Sequence, residues 1–200
     1  MKKINEKTNI IAVTKKFNLD QVSPLIKYGH IHYGENKVQE AVDKWSNIKK
    51  NNNFLKLHLI GKLQTNKVKY VIPLFDYIHS LDSEKLAEKI SFEQKKIKKS
   101  LKIFIQINIG NETQKSGIDS NNLKNFYDKC INHHKLNIIG LMCIPPRDLD
   151  VKLYFNKMAA LNKSLNLKEL SMGMSSDYLY ATECGASFVR IGTKIFGQRT

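Results

Sequence analysis

Lys102-Ile103-Phe104-Ile105-Gln106-Ile107-Asn108-Ile109 is the stretch on which the fold turns. Successive side chains of a strand point to opposite faces. Ile103, Ile105, Ile107 and Ile109 therefore share one face, and Phe104, Gln106 and Asn108 share the other. A strand with aliphatics toward helices and polar groups toward an interior suits the wall of a barrel.

Seven further segments read as strands: Asn9–Lys15, His30–Gly34, Leu55–Gly61, Tyr77–Leu81, Asn137–Ile144, Lys168–Met174 and Ser187–Gly192. Helical stripes fall between them. Asp20 is the expected cap of the first, which carries Val22, Leu25 and Ile26 and stops at Gly29. Val38, Ala41, Val42, Trp45 and Ile48 mark the second. Leu123, Phe126, Tyr127, Cys130 and Ile131 give the clearest i, i+3, i+4, i+7, i+8 pattern. Strict alternation implies parallel strands with right-handed crossovers. Eight such units predict an α/β protein: one (β/α)8 TIM-type barrel spanning residues 1–200 as a single domain. An open doubly wound sheet is the competing architecture, but no G-x-G-x-x-G follows the first strand.

The chain carries 33 Lys and Arg against 18 Asp and Glu, a net charge of +15. The lysines are spread over every segment, on the solvated faces and ends of helices, which argues against a nucleic-acid surface. No apolar run approaches the roughly 18 residues of a membrane span. Met1-Lys2-Lys3 lacks the apolar region of a signal peptide, so a cytoplasmic protein is expected. Cys130, Cys143 and Cys184 have no zinc or redox spacing and are expected to be buried structural thiols. No metal site is expected.

Sites in such barrels lie at the carboxyl ends of the strands. Those ends are Lys15, Glu35-Asn36, Gly61, Asp82, Asn108, Met142, Ser171-Met172 and Arg190 with Gly192-Thr193. The last two strands end in small, hydroxylated residues, within Leu170–Asp177 and Phe188–Thr193. Such ends either cradle a phosphate or are ordinary βα turns. Lys15, in phase with Ile11 and Val13, is either a partly desolvated amine fit for imine formation or a solvated lysine at a strand end. A buried Arg190 requires an acceptor: Glu35 or Asp82 in a structural ion pair, or a ring nitrogen or phosphate in a functional one. Imine lysine, phosphate cradle and ring-facing arginine together suggest pyridoxal 5′-phosphate.

At this point a resemblance becomes specific. The words Ala12–Lys15 (AVTK), Tyr33–Glu40 (YGENKVQE), His58–Lys67 (HLIGKLQTNK), His79–Ser83 (HSLDS), Lys115–Gly117 (KSG), Gly140–Met142 (GLM), Leu170–Ser175 (LSMGMS) and Arg190–Gly197 (RIGTKIFG) run in order along the chain. The sequence resembles the pyridoxal phosphate homeostasis protein family, relatives of the alanine racemase N-terminal barrel, the type III pyridoxal phosphate fold. The resemblance implies that Lys15 carries the cofactor aldimine. It also implies that Ser171, Gly192 and Thr193 hold the phosphate and that Arg190 faces the pyridine nitrogen. Asn36 and the turn containing Met172, Met174 and Ser175 would line the cofactor. Two features depart from the pattern. The helix that usually precedes the first strand is expected to be shortened or absent, and Thr14 stands where serine is common.

Binding and catalysis separate here. An arginine at the ring nitrogen keeps it unprotonated and weakens the electron sink. After the eighth strand a short tail is expected, without the second domain that closes alanine racemase. The expectation is a monomeric carrier that buffers or delivers the cofactor without strong catalytic turnover, with no residue assigned a catalytic role. Its partners would be pyridoxal phosphate and pyridoxal phosphate-dependent apo-enzymes, with neither nucleic acid nor membrane. A racemase-like enzyme, and a phosphate- or nucleic-acid-binding barrel without this cofactor, are the alternatives.

Overall fold

A computed structural model describes residues 7–112, 114–146 and 150–197. Eight parallel strands close into a barrel in sequence order. They are β1 (Asn9–Val13), β2 (His32–Glu35), β3 (Lys56–Leu59), β4 (Tyr77–Leu81), β5 (Lys102–Ile107), β6 (Ile138–Cys143), β7 (Glu169–Met174) and β8 (Phe188–Ile191). Between and after them run α1 (Leu19–Lys27), α2 (Val38–Asn51), α3 (Val68–Leu74), α4 (Glu84–Ile97), α5 (Leu123–Asn132), α6 (Val151–Ser164), α7 (Tyr178–Glu183) and α8 (Thr193–Phe196). The seam pairs Ile11 with Arg190 and Ala12 with Ile191. The question of a helix ahead of β1 falls on residues 1–6, outside the described residues.

The alternation of β5 has the predicted consequence. Ile103, Ile105 and Ile107 join the large apolar layer between sheet and helices. Phe104 turns inward and packs with Ile11, Tyr77, Met142 and Phe188. The strand stops at Ile107 rather than Ile109. Asn108 is the cause: its side chain donates to Glu112 O at 2.8 Å and accepts from Glu112 N at 3.2 Å, an Asx-type turn.

Other boundaries also shift. β1 ends at Val13 and β3 at Leu59, so Lys15 and Gly61 sit in turns beyond the strands. Asn18, not Asp20, caps α1. Asn18 Oδ1 accepts from Gln21 N at 3.0 Å and Gln21 Oε1 accepts from Asn18 N at 3.0 Å, a reciprocal capping box. Asp20 lies in the first turn, where its charge suits the helix dipole. Leu123, Phe126 and Cys130 bury the predicted face of α5. Cys130 and Cys143 are buried, but Cys184, at the C-cap of α7, is only partly so.

Candidate functional site

Lys15 is half-buried in the turn that follows β1. The backbone on both sides of it is fastened. Thr14 N–H donates to Gly34 O at 3.0 Å, and Thr14 Oγ1 donates to Glu35 Oε1 at 2.7 Å. Lys44, on α2, donates to Thr14 O at 2.8 Å and to Glu35 Oε1 at 2.9 Å. Trp45 Nε1 donates to the same oxygen at 2.9 Å. On the other side Lys16 N–H donates to Glu40 Oε1, which also pairs with Lys44. Helical spacing produces this clamp: Glu40 and Lys44 are four apart on α2 and point at one turn. Glu35 is 0% exposed, and its Oε2 has no partner among the described residues.

The seam brings a second set of groups beside this turn. Gly192 packs against Val13: an added Cβ would lie 3.5 Å from Val13 Cβ. The β7 turn reaches the same place. Gly173 takes φ +89, and a Cβ there would lie 2.5 Å from Ala181 Cβ, so only glycine lets the chain fold back onto α7. Met174 N–H then donates to Asp177 Oδ1 at 2.6 Å. Ser175 Oγ accepts from Gly192 N–H at 3.3 Å. Ser175 and Gly192 are thus joined at one corner of the mouth, with exposed Thr193 next in chain.

Arg190 lies beneath them and is 5% exposed. Its Nη1 donates to Ser171 O at 2.8 Å and Ser171 Oγ at 2.7 Å, and its Nη2 donates to Cys143 O at 2.8 Å. Every acceptor is neutral. Neither Glu35 nor Asp82 pairs with it: Glu35 is engaged by α2, and Asp82 is a half-buried carboxyl whose pKa burial raises. Burial pushes the guanidinium down from its usual range, opposed by Cys143 and Asp177. It pushes the Cys143 thiol up to about 12.

Across the mouth, Asn36 helps line a recess of about 360 Å³ with Gly61, Lys62, Asn108, Lys115 and Ser116. Gly61 is obligatory there, because a Cβ would sit 2.2 Å from Asn36 O. Asn36 Oδ1 is buried without a partner among the described residues. A larger recess of about 600 Å³ runs along α4, lined by Lys85, Glu88 and Phe92 with His133 and His134.

Lys15, Asn36, Ser175 and Gly192 thus lie in turns at one end of the barrel, with Met174 at the end of β7, Thr193 at the start of α8 and Arg190 just below. Ser171 and Met172 are placed otherwise. Ser171 is 0% exposed, its hydroxyl engaged by Arg190 and by His79 Nδ1 at 2.9 Å. It supports Arg190 from within the barrel instead of facing a phosphate. Met172, in the opposite phase of β7, is buried in the layer beneath the helices, so its side chain does not face the mouth. The clamp on Lys15 and the histidine behind Ser171 were missed. Glu35 and His79 were visible as polar residues inside apolar strands, which is a signal for partnered burial.

The comparisons bear on the family and the fold. The alanine racemase N-terminal domain family matches residues 1–200. A pyridoxal phosphate homeostasis protein of Aquifex aeolicus is 41% identical over 176 residues, covering 84% of this chain and 76% of that protein. One from Pasteurella multocida is 36% identical over 200 residues, covering 95% and 86%. The structure of PipY of Synechococcus elongatus with PLP bound superposes with a TM-score of 0.89 at 32% identity, covering 98% of this chain and 95% of that one. A Clostridium difficile alanine racemase, 15% identical with a TM-score of 0.77, covers 98% of this chain but 53% of its own and shares the fold. The chain therefore belongs to the pyridoxal phosphate homeostasis protein family, built on the alanine racemase N-terminal barrel.

Proposed function

We propose that this chain is a single-domain carrier of pyridoxal 5′-phosphate that holds the cofactor reversibly on Lys15 and buffers it or delivers it to dependent enzymes. When bound, pyridoxal phosphate supplies an aldehyde that condenses reversibly with a primary amine. The residues fit such a group. Lys15 offers the amine, on a turn fastened at both flanks. Ser175, Gly192 and Thr193 offer hydroxyl and N–H donors to the phosphate, and Asn36 and Met174 line the ring's surroundings. Asn36 Oδ1, buried without a partner among the described residues, is an acceptor awaiting a donor. Ser171 acts through Arg190, and Met172 contributes backbone only.

The observation that carries the reading is Arg190. Its hydrogen bonds among the described residues use three of its five N–H groups, all on neutral acceptors. A pyridine nitrogen facing it receives a hydrogen bond and no proton, since arginine does not release one. That supports binding over carbanion chemistry, in line with the names of the relatives. The unbridged thiols of Cys130, Cys143 and Cys184 support work in a reducing cytoplasm. Exposed Tyr28, Phe54, Phe92 and Leu153 sit on different elements, which supports a monomer.

Borohydride reduction of the loaded protein followed by peptide mass mapping tests the reading. Reduced cofactor is expected on Lys15, and Lys15→Ala is expected to lose the cofactor's absorbance while remaining folded. Label on Lys16, Lys37 or Lys62 instead would refute the assignment. Amino-acid turnover of about 1 s⁻¹ or faster would favour a racemase-like enzyme.

A further inference from the structure

Three imidazoles cross the barrel in single file. His32 Nδ1 lies 2.9 Å from His58 Nε2, His58 Nδ1 lies 2.9 Å from His79 Nε2, and His79 Nδ1 lies 2.9 Å from Ser171 Oγ. Ser171 Oγ in turn lies 2.7 Å from Arg190 Nη1. The chain draws one residue from each of β2, β3, β4, β7 and β8. His58, His79 and Ser171 are 0% exposed. Aromatic neighbours hold the rings: His58 stacks on Tyr77 at 4.1 Å between centroids, and His79 stacks on Phe104 at 4.3 Å.

The chemistry of the ends gives this chain a direction. A guanidinium donates and never accepts, so Ser171 Oγ accepts from Arg190. The hydroxyl proton then goes to His79 Nδ1. His79 must carry its own proton on Nε2 and give it to His58 Nδ1. His58, likewise protonated on Nε2, gives its proton to His32 Nδ1. The reverse direction would aim the Ser171 proton at no acceptor among the described residues. Burial, together with the Arg190 charge, also holds His79 in its neutral form.

We propose that this one-way chain positions Arg190, fixing the Ser171 hydroxyl and through it the guanidinium without neutralising its charge. A buried carboxylate in the place of Ser171 would hold the guanidinium as firmly but would cancel the charge. Ser171, His79 and His58 are positioning residues and touch no cofactor. The role rests on Arg190 being the partner of the ring nitrogen, but the direction of the chain does not.

Two measurements test it. Long-range proton–nitrogen correlation spectra of the cofactor-free wild-type protein at neutral pH are expected to find His58 and His79 protonated on Nε2 and bare on Nδ1. An Nδ1–H tautomer or an imidazolium at His79 overturns the chain. In the loaded protein, His79→Leu removes both donor and acceptor. It is expected to shift the bound cofactor's absorption band and raise its Kd by about tenfold, the scale of one lost hydrogen-bonded support. His79→Gln keeps one acceptor and one donor and is expected to restore band and affinity. A His79→Leu protein with unchanged band and affinity, or a Gln variant no better than Leu, overturns the positioning role. If the Leu variant does not fold, the Gln variant and the wild-type spectra decide. Failure of the wild type to bind the cofactor would overturn the functional reading and the positioning role with it, and the tautomers would still report the direction.

Discussion

Two cations are buried beside the barrel mouth, and they are held in opposite ways. Lys44, its side chain 8% exposed, sits between Glu35 at 2.9 Å and Glu40 at 3.3 Å. Arg190, 5% exposed, has among the described residues a hydroxyl and two carbonyls as its hydrogen-bond acceptors. A compensated buried charge is a fastening: it ties α2 to the turn that carries Lys15. A buried charge left with neutral acceptors is costly unless something anionic or strongly accepting completes it. The two sides of the mouth therefore divide the work. The β1–β2 side is rigid by ion pairing, and the β7–β8 side keeps its charge available.

The contrast breaks most visibly in stability. Lys44→Met leaves Glu35 buried without its cation and is expected to destabilise the fold by about 3–5 kcal/mol. Arg190→Met removes a buried cation that has no carboxylate partner among the described residues. Its orphaned acceptors and its relieved desolvation oppose each other, so a loss of about 1 kcal/mol or less is expected. Urea unfolding of both variants checks the pair. Equal losses would mean that Arg190 is as much a structural fastening as Lys44.

Lowering the pH acts on the histidine file that leads to Arg190 through Ser171. Burial depresses His58 and His79 well below 6.5, and His32 to about 4. In the unfolded chain these histidines take up protons near pH 6.5, whereas the folded ones stay neutral. The unfolded state then binds more protons, so stability is full above about pH 7 and falls as the pH drops below 6.5. For the two fully buried rings together the loss between pH 7.5 and 5.5 is expected to be about 2–3 kcal/mol. The same titration on His79→Gln is expected to lose roughly half of that slope. A stability flat to pH 5 would mean that the rings are solvated.

Period-two alternation made the barrel legible, and β5 shows why: one face of isoleucines can only meet helices. In β7 the same alternation sets Ser171 inward and Met172 outward, but alternation carries no depth. Whether an inward residue reaches the mouth or stays beneath it depends on where the strand stops and on the register with its neighbours. β7 and β8 are offset by an irregularity between Ser171–Phe188 and Met174–Arg190, which sequence spacing does not reveal. Lys15 and Gly192 were legible because they follow the last paired residues of adjacent strands. The histidine file was not, since it needs the register of five strands at once. Asn18 was overlooked as a cap because Asp20 carries the more obvious charge, whereas the reciprocal bond with Gln21 decides the boundary.

The finest test separates the two serines of β7 and its turn. Ser175 Oγ meets Gly192 N–H at the corner where a phosphate would sit, whereas Ser171 Oγ lies between His79 and Arg190. Removing the Ser175 hydroxyl should act on the phosphate alone. Ser175→Ala is expected to weaken pyridoxal phosphate binding by about 1.5 kcal/mol, the scale of one hydrogen bond to a charged group. Binding of the phosphate-free analogue pyridoxal should be unchanged. Ser171→Ala should act on the ring through Arg190 and weaken both ligands by a similar factor. Equilibrium binding of both ligands to both variants resolves the question. If Ser171→Ala spares pyridoxal and weakens only the phosphorylated form, Ser171 is a phosphate residue after all, and the division between a phosphate corner and an arginine support fails.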